Sequence, residues 1–264
     1  MIKSFALTLA LISAPFYALA LDVVEGTHYS EIPNATASST PKLTEFFSFY
    51  CHNCFNMETQ YLPAIKANLN SQVQFDNKHV DFMNTDIGTE VMRSLAVIQH
   101  LESQTQQAQL THAMFAAIQG EEGANGHDHN AENHNHAPQV NSREDIQKVF
   151  AKFGVAPPLY DALADSKETD AQLALWREQQ NRFSIQSVPS FVVNDKYLVN
   201  LGAMKSLDDL VSTINYLAVD KDALPAKSSS TPVPQIKNYA WLLGALILLI
   251  AGIGFAAMRR KKTA

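Results

Sequence analysis

The sequence predicts a mixed α/β domain with a helical block inserted in its middle, on a chain that carries an apolar segment at each end. Three observations predict it. Short runs rich in aromatic and β-branched residues, suited to buried strands, lie near residues 43–82 and again near 190–200. Helical periodicity fills the stretch between them. A single Cys-x-x-Cys pair, Cys51 and Cys54, falls where the first strand gives way to a helix.

The ends come first. Met1-Ile2-Lys3 supplies a positive charge, Phe5 to Tyr17 an apolar run, and Ala18-Leu19-Ala20 a small-x-small site. That order reads as a secretory signal over 1–20. At the other end, 239–258 is a run of twenty uncharged residues rich in Leu, Ile, Ala and Gly. At about 1.5 Å per residue it reaches ~30 Å, the thickness of a bilayer core. Arg259-Arg260-Lys261-Lys262 follows, so 259–264 is expected on the cytoplasmic side, with the bulk of the chain outside. Residues 223–238, rich in Pro, Ser, Thr and Lys, read as the linker to that membrane helix.

The elements between follow in order. Leu43 to Tyr50 reads as a strand that ends at Cys51. Phe55, Met57, Tyr61, Leu62, Ile65 and Leu69 then recur at helical spacing, with Pro63 expected to kink that helix without ending it. Val73 to Phe82 reads as the next strand. Helices are expected over 85–100 and 101–119, from Asn141, from Pro157-Pro158, and over 166–183. Ser190 to Val193 and Tyr197 to Asn200 form a hairpin across Asn194-Asp195, and Leu207 to Leu217 a last helix. The expected division is 21–84, first part of the α/β domain; 85–183, inserted helices; and 184–222, second part.

Charge excludes some partners. The chain holds 26 acidic against 20 basic side chains, and five of the cations lie in the two end segments. The remaining surface is acidic, which disfavours nucleic acid and anionic lipid.

The two cysteines carry the chemistry. In an exported protein disulfides persist. A bridge across two residues closes almost no loop, so it makes a poor staple and a good redox couple. Structural zinc needs four ligands, commonly from two such pairs, and there is no second pair. At a helix start, unpaired backbone N–H groups and the helix dipole lower the pKa of Cys51, and His52 adds charge when protonated. Cys54, one turn further in, is expected to be more buried and to resolve the mixed disulfide formed at Cys51.

The segment Glu45-Phe46-Phe47-Ser48-Phe49-Tyr50-Cys51, with Cys54, resembles the active site of the DsbA family of periplasmic disulfide oxidases. Lys78-His79-Val80-Asp81-Phe82-Met83 resembles that family's following strand. Ser187-Val188-Pro189-Ser190 and Asn194-Asp195-Lys196-Tyr197 resemble its Val-Pro loop and hairpin. The resemblance implies a thioredoxin-like fold interrupted by a helical domain, and an enzyme that introduces disulfides into exported proteins through a Cys51–Cys54 redox-active disulfide. It implies a cis-proline at Pro189, substrate pairing with the Val188 backbone, and a buried acid at Glu45 that handles the proton of the inner thiol. It also implies reduced exported polypeptides as substrates, a quinone-linked inner-membrane thiol oxidase as redox partner, and no cofactor. A monomer is expected, with its periplasmic domain held at the bacterial inner membrane by 239–258.

This chain departs from that family in two places. His52-Asn53 stands where Pro-His is usual, which retunes the thiolate. The family's buried strand lysine falls at Asn77, with Lys78 one place later and so on the other face. His79 reads as an ordinary packed strand residue. A disulfide reductase or isomerase with the same pair, and a non-catalytic metal-binding or substrate-holding module, are the alternatives. The Gly-, Asn- and Glu-rich segment 120–138 carries His127, His129, His134 and His136, weak metal-ligand candidates on what otherwise reads as a solvated loop.

Overall fold

The computed structural model describes residues 22–120 and 140–221. The signal segment 1–20, the four histidines of 127–136, the linker and the apolar run 239–258 lie outside the described residues. Among the described residues no helix is long and apolar enough to cross a membrane.

Five strands form one sheet, β1 (Tyr29–Glu31), β2 (Lys42–Phe47), β3 (Gln74–His79), β4 (Ser190–Val193) and β5 (Tyr197–Val199), in the order β1-β5-β4-β2-β3. β2 is central: it pairs parallel with β3 and antiparallel with β4. The parallel pair requires a crossover, which is the helix that starts at Cys51. That helix comes in three pieces: α1 (His52–Asn56), a π-helical turn (Met57–Tyr61) and α2 (Leu62–Asn68). The π turn explains how the chain passes Pro63. The N–H of Leu62 reaches back to the carbonyl of Met57, so the ladder is already loosened where proline has no N–H to give. The expected kink at Pro63 is therefore spread over the turn before it.

Between β3 and β4 the described chain is helical: α3 (Asp86–His100), α4 (Gln104–Gln119), α5 (Arg143–Ala151), α6 (Pro157–Ala164) and α7 (Lys167–Arg182). Four of them start on a side-chain cap, Thr85, Ser103, Ser142 and Ser166, each accepting a first-turn N–H. Their apolar faces close a core around Met92, Phe115, Phe150, Tyr160 and Trp176 that reaches Phe47, Phe49, Cys54 and Phe55. A second core packs Leu43, Phe191, Val193 and Tyr197 of the sheet against Leu62 and Ile65 of α2 and Ile214 of α8 (Leu207–Asn215). A third, on the opposite sheet face, holds Phe46, Val192 and Phe183. Successive residues of β2 thus face different cores, as strand alternation demands.

The hairpin turn is held from outside as well as within. Asn194 and Asp195 both have positive φ, 53° and 56°, the conformation of a type I′ turn. The Asn194 side chain accepts the N–H of Lys42 at 2.9 Å and donates to the carbonyls of Leu217 and Ala218. One buried amide so joins β2, the hairpin and the end of the last helix. Asn194→Gly keeps the backbone freedom and loses these bonds; Asn194→Ala loses both. In urea unfolding the alanine variant is expected to be less stable than the glycine variant by about 1 kcal/mol, the cost of a Cβ at positive φ. Equal midpoints would show that the turn conformation contributes nothing.

Candidate active site

β2 ends at Phe47, and Ser48 to Tyr50 lead into the helix. The N–H of Cys51 bonds the carbonyl of Ser48 at 3.0 Å, turning the chain. Cys51 then occupies the N-cap of α1, with extended backbone angles of −95° and 114°. Its sulfur takes the place of the usual capping oxygen and accepts the N–H of Cys54 at 3.2 Å. Opposite it lies the Val188–Pro189 loop, whose peptide bond is cis. Cys51 Sγ donates to the Val188 carbonyl at 3.4 Å. So the fold brings Cys51, Cys54, Val188 and Pro189 together from positions far apart in the chain. Both cysteines are free thiols, Cys51 partly exposed and Cys54 buried.

The two sulfurs differ electrostatically. The pKa of Cys51 falls to about 7: the hydrogen bond from the Cys54 thiol lowers it most, burial opposes, and the backbone N–H groups of Cys54 and Asn53 lower it further. Burial pushes the Cys54 thiol far up, and its bond to Cys51 adds to the rise. His52 and Asn53 are both exposed on the first turn, and Asn53 acts on Cys51 through its backbone N–H.

Glu45 is 2 % exposed, on β2 beneath the pair. Its pKa is raised to about 8, mostly by burial; the Glu58 charge adds to the rise, the Lys66 ammonium opposes it, and the Cys51 charge adds a little more. Asn77 is the β3 residue in register with Glu45, whereas Lys78 pairs with Phe46 and reaches Asp76 at 2.8 Å. The cation facing Glu45 therefore comes from α2, as Lys66, rather than from β3.

Two further side chains hold the loop. His79 Nε2 accepts the N–H of Phe49 at 3.0 Å, and His79 Nδ1 meets the Val80 carbonyl at 2.7 Å. A carbonyl can only accept, so Nδ1 carries the proton and Nε2 is free to receive Phe49. Burial lowers the pKa of His79 to about 4, which keeps the ring neutral for this role. Gln119 Nε2 donates to the carbonyls of Phe49 at 2.6 Å and Cys51 at 3.1 Å. Sequence reasoning placed His79 as packing and passed over Glu58, Lys66 and Gln119. Glu58 and Lys66 sit eight residues apart, a helical repeat that carries the signal for a shared face. Gln119 carries no such signal. Among the described residues no three metal-ligating side chains cluster.

Residues 42–215 match the model of the DSBA-like thioredoxin domain. The chain belongs to that family. Curated relatives of this DSBA-like chain include the thiol:disulfide interchange protein DsbA of Pectobacterium carotovorum, 28% identical over 186 residues, covering 70% of this chain and 80% of that one. The protein of the same name from Salmonella typhimurium is 29% identical over 227 residues, covering 83% and 99%. Among solved structures, Proteus mirabilis DsbA carrying a cysteine-to-serine change, with a non-covalently bound peptide PWATCDS, superposes with a TM-score of 0.62 at 25% identity, over 75% of this chain and 98% of that one.

Two predictions follow from the electrostatics of this DSBA-like site. Alkylation of the dithiol protein across a pH series should show Cys51 half-ionised near pH 7 and Cys54 unreactive at that pH. A midpoint at about 8.5, the value of a free thiol, would contradict the site described. For Glu45, the folded carboxyl keeps its proton up to about pH 8, while an unfolded one releases it near 4.5. The parent's stability is therefore full below 4.5 and declines as pH rises toward 8. Glu45→Gln removes that decline, so its advantage in urea unfolding should grow by about 1.4 kcal/mol per pH unit across the window. A pH-independent difference would mean that Glu45 is charged in the folded protein.

Proposed function

We infer that this protein is a thiol:disulfide oxidoreductase that introduces disulfide bonds into exported polypeptides through the Cys51–Cys54 pair. The observation that carries the reading is the split between two sulfurs at one helix start, one held toward the thiolate and the other toward the thiol. A partly exposed, readily ionised sulfur is a good leaving group; a buried, reluctant one is a good internal store for a proton.

The reaction runs in two exchanges. In the oxidised enzyme a substrate thiolate attacks Cys51 Sγ. The Cys51–Cys54 bond breaks, a substrate–Cys51 mixed disulfide forms, and Cys54 leaves with the electron pair and takes up a proton. Glu45, protonated at neutral pH in its buried place, is the acid beneath the pair that hands this proton over. A second substrate thiolate then attacks the substrate sulfur of the mixed disulfide. The substrate disulfide closes, and Cys51 departs as a thiolate that accepts the N–H of Cys54. The substrate has lost two electrons and the enzyme has gained them as its dithiol.

Substrate lies along the Val188–Pro189 loop, pairing with the Val188 backbone in strand fashion. The adjoining groove of about 400 Å³, lined by Ser187, Pro189, Ser190 and Asn200, leaves room for an extended chain there. His52 and Asn53, on the exposed first turn, tune the pair. Reoxidation falls to a quinone-linked thiol oxidase of the inner membrane. A signal segment at 1–20 and a membrane helix at 239–258 would place this domain in the periplasm, tethered as a monomer near that oxidase, where the tether raises their effective concentration.

The test is redox titration of the pair against glutathione, with assay of disulfide formation in a reduced, unfolded protein. The thiolate of Cys51 is stabilised, but less than in the strongest oxidants of the family. Its potential is therefore expected between thioredoxin's about −270 mV and DsbA's about −120 mV. Cys51→Ser should abolish turnover, and Cys54→Ser should accumulate the mixed disulfide. A potential at or below thioredoxin's would make the protein a reductase. Retention of turnover by Cys51→Ser would remove the cysteine mechanism altogether.

A further inference from the structure

The loop between β2 and α1 must hold a sulfur in one direction, yet it has little ladder of its own. The peptide groups of Phe49 and Cys51 lie beyond the end of β2, and side chains from two distant elements take them up. His79, at the end of β3, receives the Phe49 N–H. Gln119, the last residue of α4, gives twice: one carboxamide nitrogen spans the Phe49 and Cys51 carbonyls at 2.6 and 3.1 Å. The Cys51 carbonyl also accepts the N–H groups of Cys54 and Phe55, so Gln119 grips the group that starts α1.

We propose that Gln119 is a positioning residue of the redox centre: by bridging the Phe49 and Cys51 carbonyls it fixes the Cys51 backbone so that its sulfur stays aligned with the Cys54 N–H. The argument is geometric. A capping atom accepts a first-turn N–H only over a narrow range of N-cap backbone angles, and Cys51 has no strand pairing to hold those angles. Two amide hydrogens from one planar group restrain the Phe49–Tyr50 and Cys51–His52 peptides together. Phe49 is held on its N–H side by His79 and on its carbonyl side by Gln119, so the loop is fixed from β3 and from α4 at once. Gln119 does not touch either sulfur in any contact described; it acts through the cap. The inserted helical block thereby contributes to the chemistry and not solely to the core.

This inference rests on Cys51 being the ionised nucleophile, and the experiment separates the two. Gln119→Met keeps the length and the apolar stem and removes both donors. In the full chain, the alkylation midpoint of Cys51 is expected to move up by about half a pH unit or more, as befits loss of alignment in a hydrogen bond to a charged acceptor. The equilibrium with glutathione should shift in step toward the disulfide form of the enzyme. A merely structural glutamine would lower the unfolding midpoint and leave both readouts at the parent's values; that result overturns the proposal. If the parent itself shows an ordinary thiol midpoint, it is the nucleophile reading that fails. Should Gln119→Met not fold, Gln119→Glu is read at about 0.5 M salt, which screens the added charge. It too lacks the donors, and an alkylation profile equal to the parent's overturns the proposal.

Discussion

The chemistry of this site depends on the hydrogen bonds that the Cys51 sulfur accepts, from the Cys54 thiol, which lowers its pKa most, and from the N–H of Cys54 at 3.2 Å. The first turn of a helix always presents N–H groups without partners, and most proteins meet them with an oxygen. Here a sulfur does so, and the bond is worth more when that sulfur is an anion. The helix start therefore favours thiolate over thiol, and equally thiolate over disulfide, because a bridged sulfur is a much weaker acceptor. Acidity and oxidising tendency are two readings of the same contact.

The remaining charges are arranged around that contact. Cys54 donates to Cys51 and is itself too buried to ionise readily, so the pair shares one negative charge and places it outward. Glu45 lies beneath, and its own burial keeps it protonated near neutrality. A second buried anion there would oppose the thiolate. The lysine expected from β3 is displaced to the other sheet face at Lys78, where it pairs with Asp76. Lys66 supplies a cation from α2 instead, with Glu58 opposing it. Lys66 only partly offsets Glu58 and the Cys51 charge, so the charges around Glu45 add to burial in holding its proton.

Much of this was legible in the sequence, and the limits follow from physics. Cys51, Cys54 and the helix start could be read because strand pattern, cysteine spacing and helical period coincide within about twenty residues. Three helix starts could be read because Thr85, Ser142 and Ser166 satisfy their first turns locally; α4, expected from Leu101, starts three residues later behind its cap Ser103. β1 could not: three residues, Tyr-Ser-Glu, give too short an alternation, and the strand exists because β5 pairs with it. β2 was read too long, since the aromatic run continues past Phe47 into the loop that turns at Ser48, and β3, expected to run to Phe82, ends at His79. Pro63 predicted a kink, but the π turn before it depends on the packing of both halves of that helix. Gln119 is seventy residues from Phe49, and no local pattern marks a glutamine whose partners are backbone carbonyls of another element.

That last case bears on why a helical block interrupts the sheet domain at all. A cysteine at an N-cap needs its backbone held, and its own strand has ended four residues earlier. A wider sheet would not help, because ladder bonds end where β2 ends. Holding must come from above the strand ends, which is where Phe47, Phe49, Cys54 and Phe55 enter the core built by α3 to α7. Phe115, one turn before Gln119 on α4, stacks on Phe55 at 5.0 Å and meets Phe49 edge-on at 4.9 Å. Those ring contacts place α4 against the loop, and Gln119 converts that placement into two hydrogen bonds. Any gain in the reduced, folded enzyme that the disulfide form does not share adds directly to its tendency to take electrons. On that account the packing of α4 is part of the redox equilibrium, and the helices set the chemistry that the cysteines perform.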